Sequence, residues 1–194
     1  MNQYFELHIY TDGSCPGNGT EDATGGMGYV IQACDILGDR KKTFVKMSTP
    51  YSEGLIQKYG PPTNQKCELL TIILAIRHLV KITLQDLKGL EEAQRVMPDL
   101  QIRLFSDSKY CIDGINHWMR GWKSNGWKNA KKKPLKNQKL WKEADALITE
   151  SRTLFEISFH HIPGHAGVEG NELADKLATQ AATTGLLRIG TLLE

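Results

Sequence analysis

The chain has 194 residues, of which 40% are hydrophobic and 24% charged. That is enough apolar material for one domain with a real core, and it excludes a wholly disordered chain. No apolar run reaches the roughly 20 residues of a membrane-spanning helix, and the formal net charge of +2 conceals a strong local asymmetry.

Tyr4 to Tyr10 alternates, with Phe5, Leu7 and Ile9 on one face and Tyr4, Glu6, His8 and Tyr10 on the other, which predicts a strand. It runs into TDGSCPGNG, a cluster of turn residues. Met27 to Cys34 and Thr43 to Met47 predict two more strands in an antiparallel meander. Pro61-Pro62 stops the chain, and Thr63 or Asn64 caps a helix from Gln65 to Ile82. In that helix Leu69, Leu70, Ile72, Ile73, Ile76, Leu79 and Val80 recur at helical spacing. Gln85 to Leu100 reads as a variable connector. Gln101 to Phe105 predicts a strand ending in Ser106-Asp107-Ser108, and Lys109 to Met119 a helix. Asn137 to Ser151 predicts a helix, Phe155 to His161 a strand, and Asn171 to Ala182 a final helix after the loop Pro163-Gly164-His165-Ala166-Gly167. The order β-β-β-α-β-α-α-β-α predicts an α/β fold. Its mixed five-stranded sheet has three antiparallel strands and then parallel ones, flanked by helices. The expected domain is 1–185, with 186–194 as a tail.

Cys15, Cys34, Cys67 and Cys111 are scattered and form no CxxC pair. That argues against a zinc ribbon or a disulfide framework and for a reduced, cytoplasmic setting. The start, MNQYFELHIYTDGS, has no basic n-region or cleavage site, so no signal peptide is expected. No membrane or protein partner is evident, and a monomer is expected.

Between Trp118 and Lys142 stand nine Lys or Arg residues and no Asp or Glu, while the rest of the chain holds fifteen basic against twenty-two acidic residues. All four tryptophans, Trp118, Trp122, Trp127 and Trp141, lie in the same window. A basic patch on an otherwise acidic protein points to a local polyanion partner. Trp118 and Trp141 are expected to anchor this segment in the core, and Lys131-Lys132-Lys133 also reads as a solubilising loop.

Asp12 and Asp107 each stand where an apolar strand is predicted to end, so neighbouring strands would project them from one end of the sheet. Glu68 lies early in the long helix and Asp175 one turn into the last helix. Four converging carboxylates make a hard, oxygen-rich site that suits Mg²⁺ or Mn²⁺ rather than zinc. Each residue also has an ordinary role when taken alone. Asp12-Gly13 suits a turn, Asp107 a helix cap, Glu68 a solvated helix face, and Asp175 the positive end of its helix.

The four segments TDGSCPGNG, TNQKCELL, LFSDSKY and HIPGHAGVEGNELAD occur in that order with those element types. The series resembles the ribonuclease H1 (type 1 RNase H) family from about Tyr4 to Ala182. WMRGWKSNGWK resembles that family's basic protrusion, here within 118–142. The stretches Asp35 to Pro62 and Gln85 to Leu100 exceed the compact family core.

The resemblance implies an endoribonuclease that cleaves the RNA strand of RNA–DNA hybrids and leaves 5′-phosphate and 3′-hydroxyl ends. Asp12, Glu68, Asp107 and Asp175 match the four acidic ligands of two Mg²⁺ ions, with Asp12 bridging, Glu68 and Asp107 on one side and Asp175 on the other. Two ions about 4 Å apart serve an in-line phosphoryl displacement. His165 matches a mobile residue that assists water activation or product release. Asn18, Asn64 and Gln65 match positions that contact the hybrid's minor groove. Thr63 and Asn125 match two residues of a DNA-phosphate pocket whose Arg position is Pro61 here. Trp122, Lys123, Trp127 and Lys128 would meet the hybrid from the protrusion. A non-catalytic hybrid-binding module and a DNA-acting nuclease of the same fold remain the alternatives.

Overall fold

The structure, a computed structural model, describes residues 5–34, 41–92 and 100–191. Tyr4, parts of the two long connectors (35–40 and 93–99) and the last three residues lie outside the described residues. β1 (Phe5–Ser14) pairs antiparallel with β2 (Gly26–Cys34), and β2 pairs antiparallel with β3 (Lys41–Pro50). On its other side β1 runs parallel to β4 (Leu100–Ser106), which runs parallel to β5 (Glu156–His161). Arg188–Thr191 forms β6, antiparallel to β3. The sheet order is therefore β5-β4-β1-β2-β3-β6, six strands rather than the five expected, and part of the expected tail is in the sheet. A four-residue strand carries too short a pattern to be read from sequence, and only the open edge of β3 makes it a strand.

β1 also continues past its predicted end. Thr11, Asp12, Gly13 and Ser14 pair with Tyr29, Gly28, Met27 and Gly26. The ladder supplies hydrogen bonds that a turn at Asp12-Gly13 would forgo, so long-range pairing overrides local turn chemistry.

Among the described residues there are six α-helices, α1 (Glu53–Tyr59), α2 (Asn64–Glu92), α3 (Lys109–Asp113), α4 (Met119–Ser124), α5 (Gln138–Ser151) and α6 (Glu169–Thr184). Of these, α2, α3 and α6 pack on the sheet and α5 packs on α2. α2 spans 29 residues and runs into the predicted connector. Its extension QDLKGLEE lacks an apolar stripe but consists mostly of good helix formers. The apolar stripe Leu69, Ile72, Ile73, Ile76 and Leu79 is fully buried, and each such side chain stabilises the fold by about 1.5–3 kcal/mol.

α6 packs on the other face of the sheet. A Cβ at Gly28 would come within 2.3 Å of the Ala174 carbonyl oxygen, and one at Gly26 within 2.1 Å of that of Ala178. Glycine on the strand and alanine on the helix thus set a flush approach that fixes where Asp175 emerges. With helices on both faces, β2 is buried nearly throughout.

The predicted helix 109–119 is interrupted. α3 and α4 flank one π turn at Gly114–Trp118. A Cβ at Gly114 would lie 2.1 Å from the ring of Trp141, so the turn makes room for that indole. Trp141 is fully buried as expected, and its Nε1–H donates to the Tyr110 hydroxyl at 2.7 Å. Trp118 is not a core anchor, being 41% exposed. The π turn changes the angular spacing along the helix and leaves Trp118 outside.

α1 was not foreseen from sequence. It is held by Glu143 of α5, whose carboxylate takes Lys58 Nζ at 2.9 Å, the Tyr59 hydroxyl, and Arg77 Nη2 of α2 at 2.6 Å.

Candidate active site

The parallel register of β1 and β4 pairs Thr11 with Ser106. Asp12 and Asp107 each follow by one residue, so they leave the same end of the sheet on adjacent strands. Glu68 is brought to this end by close contact between β1 and α2, where a Cβ at Gly13 would lie 2.2 Å from the Glu68 backbone nitrogen. Thr71 on the next turn of α2 shares its hydroxyl hydrogen between the Cys67 carbonyl at 2.7 Å and the Asp12 carbonyl at 2.9 Å. Ser108 donates to Glu68 Oε2 at 2.6 Å while its oxygen caps α3 through Cys111 N–H at 3.3 Å.

Burial, the charge of Asp107 and the charge of Asp175 raise the Asp12 carboxyl to about 7, against the pull of the Gly13 N–H that donates to it at 2.8 Å. Burial, with a contribution from Asp107, also raises Glu68, while the Ser108 bond opposes the shift. The four carboxylates therefore feel one another in the sequence Glu68, Asp107, Asp12, Asp175. Among the described residues, none of them is ion-paired with a Lys or Arg. No three of them are drawn into a finished ligand sphere. Hard oxygen donors with uncompensated negative charge fit divalent cations of the Mg²⁺ class, which keep several waters and need few protein ligands.

His165 sits exposed in the loop before α6 with φ 53°. The same loop brings Gly164 against Asp107, where a Cβ would meet Oδ2 at 2.9 Å. His160 and His161 are engaged by different partners. His160 Nε2 lies 2.8 Å from Ser158 Oγ, and His161 Nε2 lies 3.2 Å from the Asp107 carbonyl oxygen.

The expected nucleic-acid residues fall into two groups. Asn18 Oδ1 accepts from Asn64 N–H at 3.4 Å, which links the glycine-rich loop after β1 to the start of α2. Beside them Thr63 Oγ1 accepts from Lys66 N–H at 3.3 Å, and Gln65 Oε1 is buried with no hydrogen-bond partner. The second group follows the π turn. Trp122 is half-buried, edge-on to Trp141 at 5.0 Å and beside Trp118 at 5.7 Å. Lys123 is paired with Asp145 at 2.8 Å. Asn125 is spent on its own turn, bonding both the N–H and the carbonyl of Lys128. Trp127 has φ 62° and bonds Trp122, Leu135 and Gln138 through its backbone.

The RNase H family pattern matches residues 5–183. The chain belongs to the RNase H family. Ribonuclease H from Marinobacter nauticus is 38% identical over 172 residues, covering 89% of this chain and 90% of that one. Ribonuclease H from a Bradyrhizobium strain is 34% identical over 178 residues, covering 92% and 90%. Among solved structures, the PFV RNase H domain superposes with a TM-score of 0.65 at 28% identity, covering 93% of this chain and 96% of that one. LC9-RNase H1, a type 1 RNase H, gives the same TM-score at 24% identity and covers 94% and 76%, which speaks to the fold. The chain is thus a hydrolase of the ribonuclease H class.

Within that RNase H framework, Ser108 and Thr71 are the site residues that sequence reasoning did not single out. Ser108 carried a signal, since Ser-Asp-Ser before a helix is a cap pattern. Thr71 carried none, because its partner is 59 positions away in the chain. The four cysteines are free and buried. Among the described residues, no helix is long and apolar enough to cross a membrane.

Proposed function

We propose that the chain hydrolyses the RNA strand of RNA–DNA hybrids with two Mg²⁺ ions held by Asp12, Glu68, Asp107 and Asp175, leaving 5′-phosphate and 3′-hydroxyl ends. One observation carries this reading. Asp12 and Asp107 emerge side by side from parallel strands, with Glu68 and Asp175 within electrostatic reach and no Lys or Arg paired to them. Bound there, the ions would activate a water and stabilise the leaving oxygen of an in-line displacement.

The chain's own residues do the rest. Gly13 and Thr71 fix the spacing between Asp12 and α2, and Ser108 orients Glu68. His165, exposed on the loop that brings Gly164 against Asp107, would assist water activation or product release. Asn18, Thr63, Asn64 and Gln65 would meet the minor groove of the hybrid, where a 2′-hydroxyl distinguishes the RNA strand. Trp122, Lys123, Asn125, Trp127 and Lys128 lie on the basic segment that would follow the phosphates. Here Lys123 must share its charge with Asp145, so Lys128 and the lysines at 131–133 carry more of the grip. A foamy viral protease-reverse transcriptase that superposes with a TM-score of 0.65 at 27% identity was solved with an RNA/DNA hybrid; this chain covers 20% of that one. That supports the substrate class.

The test is incubation with end-labelled hybrid, duplex RNA and duplex DNA, with Mg²⁺ and with chelator. The expected result is Mg²⁺-dependent cleavage of the RNA strand of the hybrid alone. Cleavage of duplex DNA, or hybrid binding without cleavage, overturns the reading.

A further inference from the structure

α3, the π turn and α4 make one continuous helical run from Lys109 to Ser124. The run starts two residues after Asp107 and ends in the basic protrusion. Its exposed residues include Lys109, His117, Arg120 and Lys123, so basic groups lead from the carboxylate end of the sheet to the protrusion. A single acidic residue, Asp113, interrupts them. Its Oδ2 accepts from Lys109 Nζ at 2.7 Å.

Asp113 stands beside the candidate active site and faces cations rather than the four carboxylates. The hydrogen bond from Lys109 holds its carboxyl below the usual carboxylate range, and the charges of Lys109, His117 and His161 act in the same direction. His161 comes from β5, where its Nε2 lies 3.2 Å from the Asp107 carbonyl oxygen. Asn116 ties the run to the same strand by donating to the Phe159 carbonyl at 3.0 Å. The charges that act on Asp12 are those of Asp107 and Asp175, and Glu68 feels Asp107. The Lys109 side chain is 73% exposed and that of Asp113 only 18%. The carboxylate is therefore the fixed member of the pair and the ammonium the free one. An exposed ion pair holds its members weakly, so a phosphodiester can compete for the ammonium.

We propose that Asp113 sets the affinity for hybrid by claiming Lys109, whose ammonium otherwise takes a phosphate of the cleaved strand next to the carboxylates. This rests on the hybrid as substrate, as proposed above. Phosphates recur about every 3.4 Å of axis along one strand. A strand whose reacting phosphate lies at Asp107 thus carries others within reach of a lysine two residues further on. While the pair is closed, Lys109 neutralises Asp113 and no phosphate, so binding releases no counterion there. A lysine free of Asp113 would hold substrate and cut product alike, which tightens binding without lowering the barrier from the bound state. Asp113 loosens that grip and favours departure of the cut strand.

The test is hybrid binding by fluorescence anisotropy in chelator at several salt concentrations, together with steady-state cleavage in Mg²⁺. The variants are Asp113→Asn, Asp113→Ser, Lys109→Ala and the double variant Asp113→Asn/Lys109→Ala, with urea midpoints to check that each is folded. Both Asp113 variants are expected to bind hybrid about threefold tighter or more, with a salt slope steeper by ~0.7–0.9. In cleavage, KM should fall and kcat should not rise. The double variant should lose the gain. The proposal is overturned by unchanged or weaker binding of the Asp113 variants, by an unchanged salt slope, or by a full gain that persists in the double variant, which would assign the effect to the carboxylate's own charge. A parent protein that binds hybrid without cleaving it overturns the proposed reaction instead, and the binding data in chelator still decide the role of Asp113.

Discussion

Gly13 and Glu68 touch through their backbones: the position of a Gly13 Cβ lies 2.2 Å from Glu68 N and 2.8 Å from its Cα. Backbone cannot move aside as a flexible side chain can. The absence of a side chain at Gly13 therefore sets how near Asp12 comes to Glu68. Gly13→Ala is expected to push β1 away from α2. Overpacking of this kind costs about 1–3 kcal/mol, and kcat should fall by more than tenfold because the carboxylates separate. Urea denaturation and steady-state cleavage measure both. Unchanged stability would show that the strand relaxes freely.

Asp12→Asn should abolish turnover and leave the fold intact. The substitution removes a buried charge that faces Asp107 and Asp175. Melting in chelator should therefore occur no lower than in the parent, while activity drops by several orders of magnitude. Residual cleavage above about a tenth of the parent rate would contradict the role proposed for Asp12.

His165→Ala should slow the enzyme without silencing it. His165 is exposed and lies on a loop rather than on the sheet end. A loss of roughly 10–100-fold is expected, at or below the usual general acid–base contribution. Single-turnover rates decide, and a variant as inactive as Asp12→Asn would make the imidazole essential.

Glu143 should give the fold an acid-labile clasp. Burial pushes its carboxyl up, but hydrogen bonds from Tyr59, Lys58 and Arg77 outweigh that and bring it to about 2, against 4.5 for the unperturbed group. A depressed carboxylate stabilises the folded state above its unfolded value and loses that contribution as pH falls from 4.5 through about 2. Part of the carboxylate faces solvent, which screens it, so the contribution at neutral pH is on the order of 1–2 kcal/mol. Glu143→Gln should be less stable than the parent at pH 7, and the gap should narrow below pH 4.5. A gap independent of pH in urea titrations would place the effect in packing instead.

Replacing Lys131, Lys132 and Lys133 together with Ala should change affinity rather than chemistry. The three are exposed, and none is ion-paired among the described residues. Each phosphate that is no longer neutralised should reduce the salt slope by ~0.7–0.9. KM for hybrid should rise and kcat stay near the parent value. Unchanged KM and slope would leave the grip to Arg120 and Lys128.

The sequence by itself determined the family and most of the element order, and it singled out the four candidate carboxylates. Asp12, Glu68, Asp107 and Asp175 stand in local motifs, and strand alternation or helical spacing spans only a few residues, so both are written along the chain. What the tertiary structure decided is everything that depends on distant partners. The open edge of β3 makes a strand of Arg188–Thr191. Glu143 holds α1 from 84 positions away. The bulk of Trp141 against Gly114 accompanies a π turn that leaves Trp118 exposed. Asp145 claims Lys123. Ser108 and Thr71 join the site only because β4, α2 and β1 meet there. A linear pattern records the propensity of each segment, but pairing, close approach and charge compensation act through space, and they outweigh propensity wherever a strand, a ring or a carboxylate finds its partner.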